Sequence, residues 1–169
     1  MNIYKMSVTI SLVIILGFIS IGCQGAKEDQ SRSIRAGEYT WLGVRPEKTM
    51  AAKYYDEARK CLQEGGRDQN SIMKIGQLAF AEDTLPALVA IMENGNIVQK
   101  RGAWVGLRAL VEGIACSGFV DYGKYEETKK RLMPLLPQYH GRISKALNDL
   151  PPPSQRAYQK TVDLIAAQK

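Results

Sequence analysis

Few residues of this chain have side chains that could carry out chemistry. It contains one histidine, His140, and three cysteines. A single histidine excludes a multi-histidine zinc site, and a serine–histidine triad would depend on His140 alone. Neighbouring acids such as Asp56 and Glu57 point in different directions on a helix, which indicates a solvated face. No phosphate-binding loop or dinucleotide motif is present. The sequence therefore predicts no catalytic residue, no metal ligand and no dissociable cofactor.

Two of the cysteines, Cys61 and Cys116, fall on the apolar sides of predicted helices. In an exported protein they could form a disulfide, which would stabilise the fold by about 4 kcal/mol through loop closure. They could equally remain two buried thiols that pack as small apolar side chains. The spacing leaves both alternatives open.

The third cysteine, Cys23, ends an uncharged stretch near the N-terminus. Residues 6–26 contain no charged side chain, Lys5 precedes them, and the densest apolar run is residues 11–21, SLVIILGFISI. A membrane-spanning helix needs about 20 apolar residues, so this run is short for a span. Its length and the preceding lysine are typical of an export signal peptide.

The residues around Cys23 resemble the lipobox of bacterial lipoproteins. Gly22 stands directly before Cys23, and Ile19-Ser20-Ile21 lead into it, with Ser20 where the commonest lipobox has leucine. The resemblance implies cleavage between Gly22 and Cys23, with a diacylglycerol and an N-acyl chain such as palmitate on Cys23. Gln24 instead of aspartate favours the outer membrane, facing the periplasm, where the cell has one. An uncleaved membrane anchor and an ordinary secretory signal are the alternatives.

The chain divides into three parts on this interpretation. Residues 1–22 are the lipoprotein signal peptide, residues 23–45 the lipidated N-terminus and a flexible polar tether, and residues 46–169 an α-helical domain. Near the end of the tether, residues 39–42 form a short docking piece, and we expect Trp41 to pack on the domain. The membrane is therefore the first expected partner, through the lipid anchor.

Composition agrees with a single globular domain. The apolar fraction is 45%, enough for one core, and the net charge is +6. The excess of basic residues either belongs to an ordinary solvated surface or favours contact with anionic lipid. Nucleic acid is not an expected partner, because basic residues are not interleaved with aromatic ones.

The spacing of apolar residues after Pro46 predicts an all-α fold, either an antiparallel helical bundle or a short HEAT-like α-solenoid. The first helix should bury Met50, Tyr54 and Ala58, and Ser71 should cap the second. Asn96 should open a long helix that continues to Gly118.

Residues 83–115 resemble a HEAT-type helical hairpin, with Pro86 near the start of a first helix and a tight Asn-Gly turn before a second. A generic bundle is the alternative, because the pattern does not recur at a fixed period. In the second helix Gly102 and Gly106 share one face, where a neighbouring helix could approach closely.

Together these features predict a membrane-anchored lipoprotein of the cell envelope, whose helical module binds another envelope protein as a scaffold or accessory factor. Two alternatives stay open. One is an envelope enzyme or accessory factor acting on cell-wall polymer, which would need a cleft with two facing carboxylates. The other is a purely structural lipoprotein.

Overall fold

The structure, a computed structural model, describes residues 39–65 and 68–168. Over these residues every regular element is a helix, which confirms the predicted all-α class. The α-helices are α1 (Thr49–Gln63), α2 (Gln69–Gly76), α3 (Leu85–Asn94), α4 (Ile97–Glu112), α5 (Tyr122–Leu132), α6 (His140–Asn148) and α7 (Pro152–Ala166). Short 3₁₀ turns lie at Thr40–Leu42, Gln77–Phe80, Glu82–Thr84, Cys116–Gly118 and Met133–Tyr139.

Helix α4 has sharply defined ends. The Asn96 side chain accepts hydrogen bonds from the backbone N–H groups of Val98 and Gln99, and the Gln99 side chain accepts one from the Asn96 backbone N–H. This capping box confirms the predicted start. The expected continuation to Gly118 is wrong, because Gly113 adopts a left-handed conformation with φ of 73° and ends the helix at Glu112.

The predicted starts of two other helices need small corrections. Helix α2 is capped by the Asp68 side chain, which accepts a hydrogen bond from the Ser71 backbone N–H at 2.8 Å, so Ser71 lies inside the helix. Helix α7 begins at Pro152 and not at Ser154, where the apolar spacing predicts its start, since proline fits the first turn of a helix, where its missing N–H costs nothing.

Helix α4 lies at the centre of the core. Its side chains Ala103, Trp104, Leu107 and Leu110 are fully buried. The backbones of α2 and α4 approach closely, because a Cβ at Gly106 would overlap the Gly76 carbonyl and one at Gly102 would lie 3.0 Å from Ile75 Cβ. The prediction that a helix packs on the Gly102–Gly106 face is confirmed.

The buried face of α1 is shifted by one position along the sequence from the predicted face. Met50 is 59% exposed and Tyr54 is only partly buried, whereas Ala51, Tyr55 and Ala58 are buried. The prediction that Met50 and Tyr54 are buried is therefore wrong. The Tyr55 hydroxyl donates to the Gly43 carbonyl at 2.9 Å, which fixes the rotation of α1 against the segment before it.

That segment packs on the domain. Leu42 is 3% exposed, and the Tyr39 hydroxyl donates to the Leu62 carbonyl at 2.6 Å. Trp41 lies partly buried in edge-to-face contact with the Tyr39 ring. The predicted docking piece is confirmed, and packed structure begins before residue 46. The signal peptide and most of the predicted tether lie outside the described residues.

Helices α3 and α4 follow each other across Gly95 and Asn96, in the stretch that resembles a HEAT hairpin. The HEAT-like assignment stays a prediction. In the described part of the chain, no helix on its own is long and apolar enough to cross a membrane; Gln69–Phe80 and Glu82–Asn94 meet that criterion only as a pair bent by 120°.

Candidate binding pocket between α4 and α7

The residues singled out from the sequence do not come together in one site. Gly22 and Cys23 lie outside the described residues. Cys61 lies on α1 and Cys116 in the 3₁₀ turn after α4, and both are buried, free thiols. A disulfide between Cys61 and Cys116 stays a prediction.

His140 opens α6 as a partly buried residue, and its Nε2 lies 3.4 Å from the Ser144 hydroxyl one turn later. Within the part of the chain that the structure describes, His140 has no hydrogen bond to an acidic residue or a cysteine. Residues 39–65 and 68–168 contain no group of three or more histidine, cysteine, aspartate or glutamate residues arranged to hold a metal ion.

Acidic residues line one open depression at the start of α1, here called the α1 basin. It is bordered by Arg45, Glu47, Thr49, Ala52, Lys53, Asp56 and Glu57. Arg45 clamps Asp56 through two hydrogen bonds of 2.7 and 2.6 Å, and these bonds lower the pKa of the Asp56 carboxyl. A general acid needs a raised pKa, so Asp56 does not suit that role.

A second cavity is mostly apolar and lies between α4, α7 and the turn before α7. We call it the Trp104 pocket. Its volume is about 230 Å³. Its lining residues are Ile97, Arg101, Trp104, Leu150, Ser154 and Tyr158.

The floor of the Trp104 pocket is aromatic. The Trp104 and Tyr158 rings stack with centroids 5.1 Å apart and planes 20° from parallel. Trp104 is fully buried, and its indole Nε1 has no hydrogen-bond partner among the described residues. Buried indole N–H groups usually find an acceptor, so this donor is an exception. At the rim, Ile97 keeps 57% of its surface exposed.

The electrostatics of the Trp104 pocket favour an anion. Arg101 is exposed and has no ion pair within the described chain. Ile97 and Ser154 lie in the first turns of α4 and α7, and neither first turn carries an acidic residue. The first two residues of α7 are prolines without an N–H, and the Asn96 side chain already accepts from the first turn of α4, so the positive charge at the pocket comes from Arg101.

Tyr158 lies within the influence of the same positive charge. Burial raises the pKa of its hydroxyl, and the Arg101 and Arg108 charges act on that pKa in the opposite direction. Tyr158 therefore stays protonated at neutral pH, and its hydroxyl adds a neutral polar group to the wall of the pocket.

A buried polar contact holds α7 on α4 behind the pocket. The Glu112 side chain is 2% exposed, and the Thr161 hydroxyl donates to its carboxylate at 2.5 Å. Arg108 Nε and Lys160 Nζ lie 3.4 and 3.7 Å from the same carboxylate. Because Thr161 is also fully buried, this contact fixes the position of α7 and with it the stacking of Tyr158 on Trp104.

Helix periodicity predicts that Trp104 and Tyr158 lie on the apolar sides of their helices, and this agrees with the buried Trp104 and the half-buried Tyr158. Their stacking was not predicted. The available signal was weak: an arginine one turn before a tryptophan in a helix, and a tyrosine one turn after Ser154 in another. Comparison with protein-family models, with curated proteins and with solved structures finds no match for this chain.

Proposed function

We propose that this protein is a lipid-anchored protein of the bacterial cell envelope, whose helical domain binds another envelope protein. The proposal joins two lines of support. The sequence around Gly22 and Cys23 resembles a lipobox, and the described domain carries an apolar pocket with a free arginine at its edge. Two or more acyl chains at Cys23 would keep the domain stably on the membrane.

The observation that carries the binding role is the chemistry of the Trp104 pocket. Its lining has apolar and aromatic groups, hydroxyls and one arginine, and none of its residues is an acid, histidine or cysteine. Proton transfer or nucleophilic attack near neutral pH usually requires one of those groups, whereas stacked aromatic rings and arginine are typical of recognition sites. The geometry therefore supports binding over catalysis at this site.

Fatty-acid labelling tests the anchor. Cells supplied with a clickable palmitate analogue should label the wild-type protein and leave the Cys23→Ala variant unlabelled. The chain offers matched controls, since Cys61→Ala and Cys116→Ala remove the other two cysteines and should keep the label. An unlabelled wild-type protein, or a label that survives Cys23→Ala, would contradict the anchor.

Site-specific photo-crosslinking in cells tests the binding role. A photoreactive residue at Ile97, on the rim of the Trp104 pocket, should yield a discrete crosslinked product. The same residue at Tyr122, which is 74% exposed and does not line the pocket, should not yield it. The product should weaken when Arg101→Gln is added. Equal crosslinking from both positions, or none from Ile97, would count against the proposal.

A further inference from the structure

We infer that the Trp104 pocket binds the C-terminal residue of a partner protein, taking an apolar or aromatic side chain between its walls and the free α-carboxylate at Arg101. This inference rests on the proposed function, because it names the part of the envelope partner that the domain would recognise. Its support comes from the size, the walls and the charge of the pocket.

Size limits the occupant to something small. The cavity measures about 230 Å³, below the roughly 300–1,000 Å³ of sites that enclose a drug-sized ligand. A single side chain fits this scale, whereas a cofactor or a folded surface loop does not. The exposed aliphatic surface of Ile97 and the half-buried ring of Tyr158, which stacks on the fully buried Trp104, favour an apolar or aromatic side chain.

Charge identifies the second feature of the occupant. Arg101 has no acidic partner within the described chain, and the first turns of α4 and α7 contain no acidic residue. Arginine favours a carboxylate and can bind one through two parallel hydrogen bonds.

Both features are satisfied by a single terminal residue. In a C-terminal residue the side chain and the carboxylate branch from the same Cα, so an occupant that fills one small cavity reaches Arg101 directly. An internal acidic segment would need a second residue beside the one in the pocket. Within residues 39–65 and 68–168, Arg101 is the one charged side chain that lines the cavity, which matches one carboxylate.

Peptide binding to the full-length protein in a non-ionic detergent tests the inference. Fluorescein is attached to the N-terminus of a six-residue peptide that ends in phenylalanine, and its anisotropy gives the dissociation constant. We expect the free-acid peptide to bind at least about tenfold more tightly than its C-terminal amide, because charge-assisted hydrogen bonds are lost in the amide. Replacing the terminal phenylalanine with alanine should weaken binding by a similar factor.

Two variants locate the effect. Arg101→Gln should weaken binding of the free acid about tenfold and leave the amide unchanged, so that the two peptides become equal. Lys100 is the neighbouring cation on the same helix, and it does not line the pocket. Lys100→Gln should therefore preserve the preference for the free acid over the amide. Thermal unfolding of each variant verifies that the fold is retained.

Several outcomes would overturn the inference. These are equal binding of acid and amide by the wild-type protein, no binding of any peptide, or equal binding of an amidated peptide with an internal aspartate beside the phenylalanine. If the peptides fail and the Ile97 crosslink depends on Arg101, this inference falls and the proposed function stands. If the crosslink and the lipid label are also absent, the proposed function falls as well.

Discussion

The two sides of helix α4 are built differently. On the side facing α2, glycines let the backbones meet, and Ile75 of α2 packs against Gly102. On the side facing α7, large aromatic and charged side chains separate the helices and enclose the Trp104 pocket. One side leaves no room between the helices, and the other leaves a cavity.

This difference separates stability from recognition. Close backbone packing maximises contact and tolerates almost no change of volume. An interface made of a ring stack and a buried carboxylate contact that encloses a cavity is packed less completely. We therefore expect substitutions on the α2 side to reduce stability strongly, and those on the α7 side to act on stability less and on binding more.

The largest effect is expected on the closed side, from Gly106→Ala. The new Cβ would overlap the carbonyl of Gly76, which belongs to the backbone and has little freedom to move. Overpacking should outweigh the roughly 1 kcal/mol gained in helix propensity, and the free energy of unfolding should fall by about 3 kcal/mol. Urea denaturation followed by circular dichroism measures this change.

Gly141→Ala is the matched control for that substitution. Gly141 also lies within a helix, α6, but an added Cβ would meet no atom within 4 Å. Its stability should be unchanged or raised by up to about 1 kcal/mol. Equal stabilities of the two variants would show that α2 and α4 are less closely packed than the comparison requires.

A smaller effect is expected on the open side, from Thr161→Val. Valine keeps the shape of threonine but removes the hydroxyl that donates to the buried Glu112 carboxylate at 2.5 Å. A lost hydrogen bond to a buried charge should reduce the free energy of unfolding by about 2 kcal/mol. It should also weaken binding of the free-acid peptide, because α7 carries Tyr158 into the Trp104 pocket.

The control is Thr161→Ser, which keeps the hydroxyl and should recover most of the lost stability. Denaturation and peptide anisotropy on the same samples separate the two consequences. A valine variant as stable as the wild type would mean that Arg108 and Lys160 satisfy Glu112 without the hydroxyl.

Features of α4 that depend on local chemistry were predictable from the sequence. The Asn96 cap follows from the preference of asparagine for helix starts, and the shared face of Gly102 and Gly106 follows from helix periodicity. The sequence did not predict that the helix ends before Gly113, because the glycines at 102 and 106 lie inside the same helix and one more glycine is no clear stop signal. Only the left-handed conformation of Gly113 distinguishes the two cases.

Features that depend on distant contacts were not predictable. Met50 has the right character for the buried side of α1, but the bond from Tyr55 to Gly43 helps set the rotation that leaves it exposed. The Trp104 pocket depends on where α7 packs, and that position is fixed by Thr161 and Glu112 far apart in the sequence. Periodicity identifies a buried face without identifying its neighbour.

The smallest predicted effect concerns the C-terminal end of α4, where Tyr125 of α5 contacts it, and depends on pH. The Tyr125 hydroxyl donates to the Leu110 carbonyl at 3.0 Å, and burial raises the pKa of Tyr125 to about 12. The unfolded chain should ionise near pH 10, so the contribution of this hydroxyl to stability is complete below about pH 10 and is lost as the pH rises towards 12. Tyr125→Phe should cost about 1 kcal/mol at pH 8, the usual value of one hydrogen bond.

Comparing Tyr125→Phe with Tyr158→Phe at pH 8 and pH 11 completes the test. The difference in unfolding free energy between wild type and Tyr125→Phe should shrink at pH 11, because the wild-type advantage requires a protonated hydroxyl. Tyr158 is half-buried and lies near Arg101 and Arg108, which oppose the rise of its pKa, so the same comparison at position 158 should change less with pH. A stronger pH dependence at Tyr158 than at Tyr125 would contradict the larger effect of burial that we assign to the Tyr125 hydroxyl.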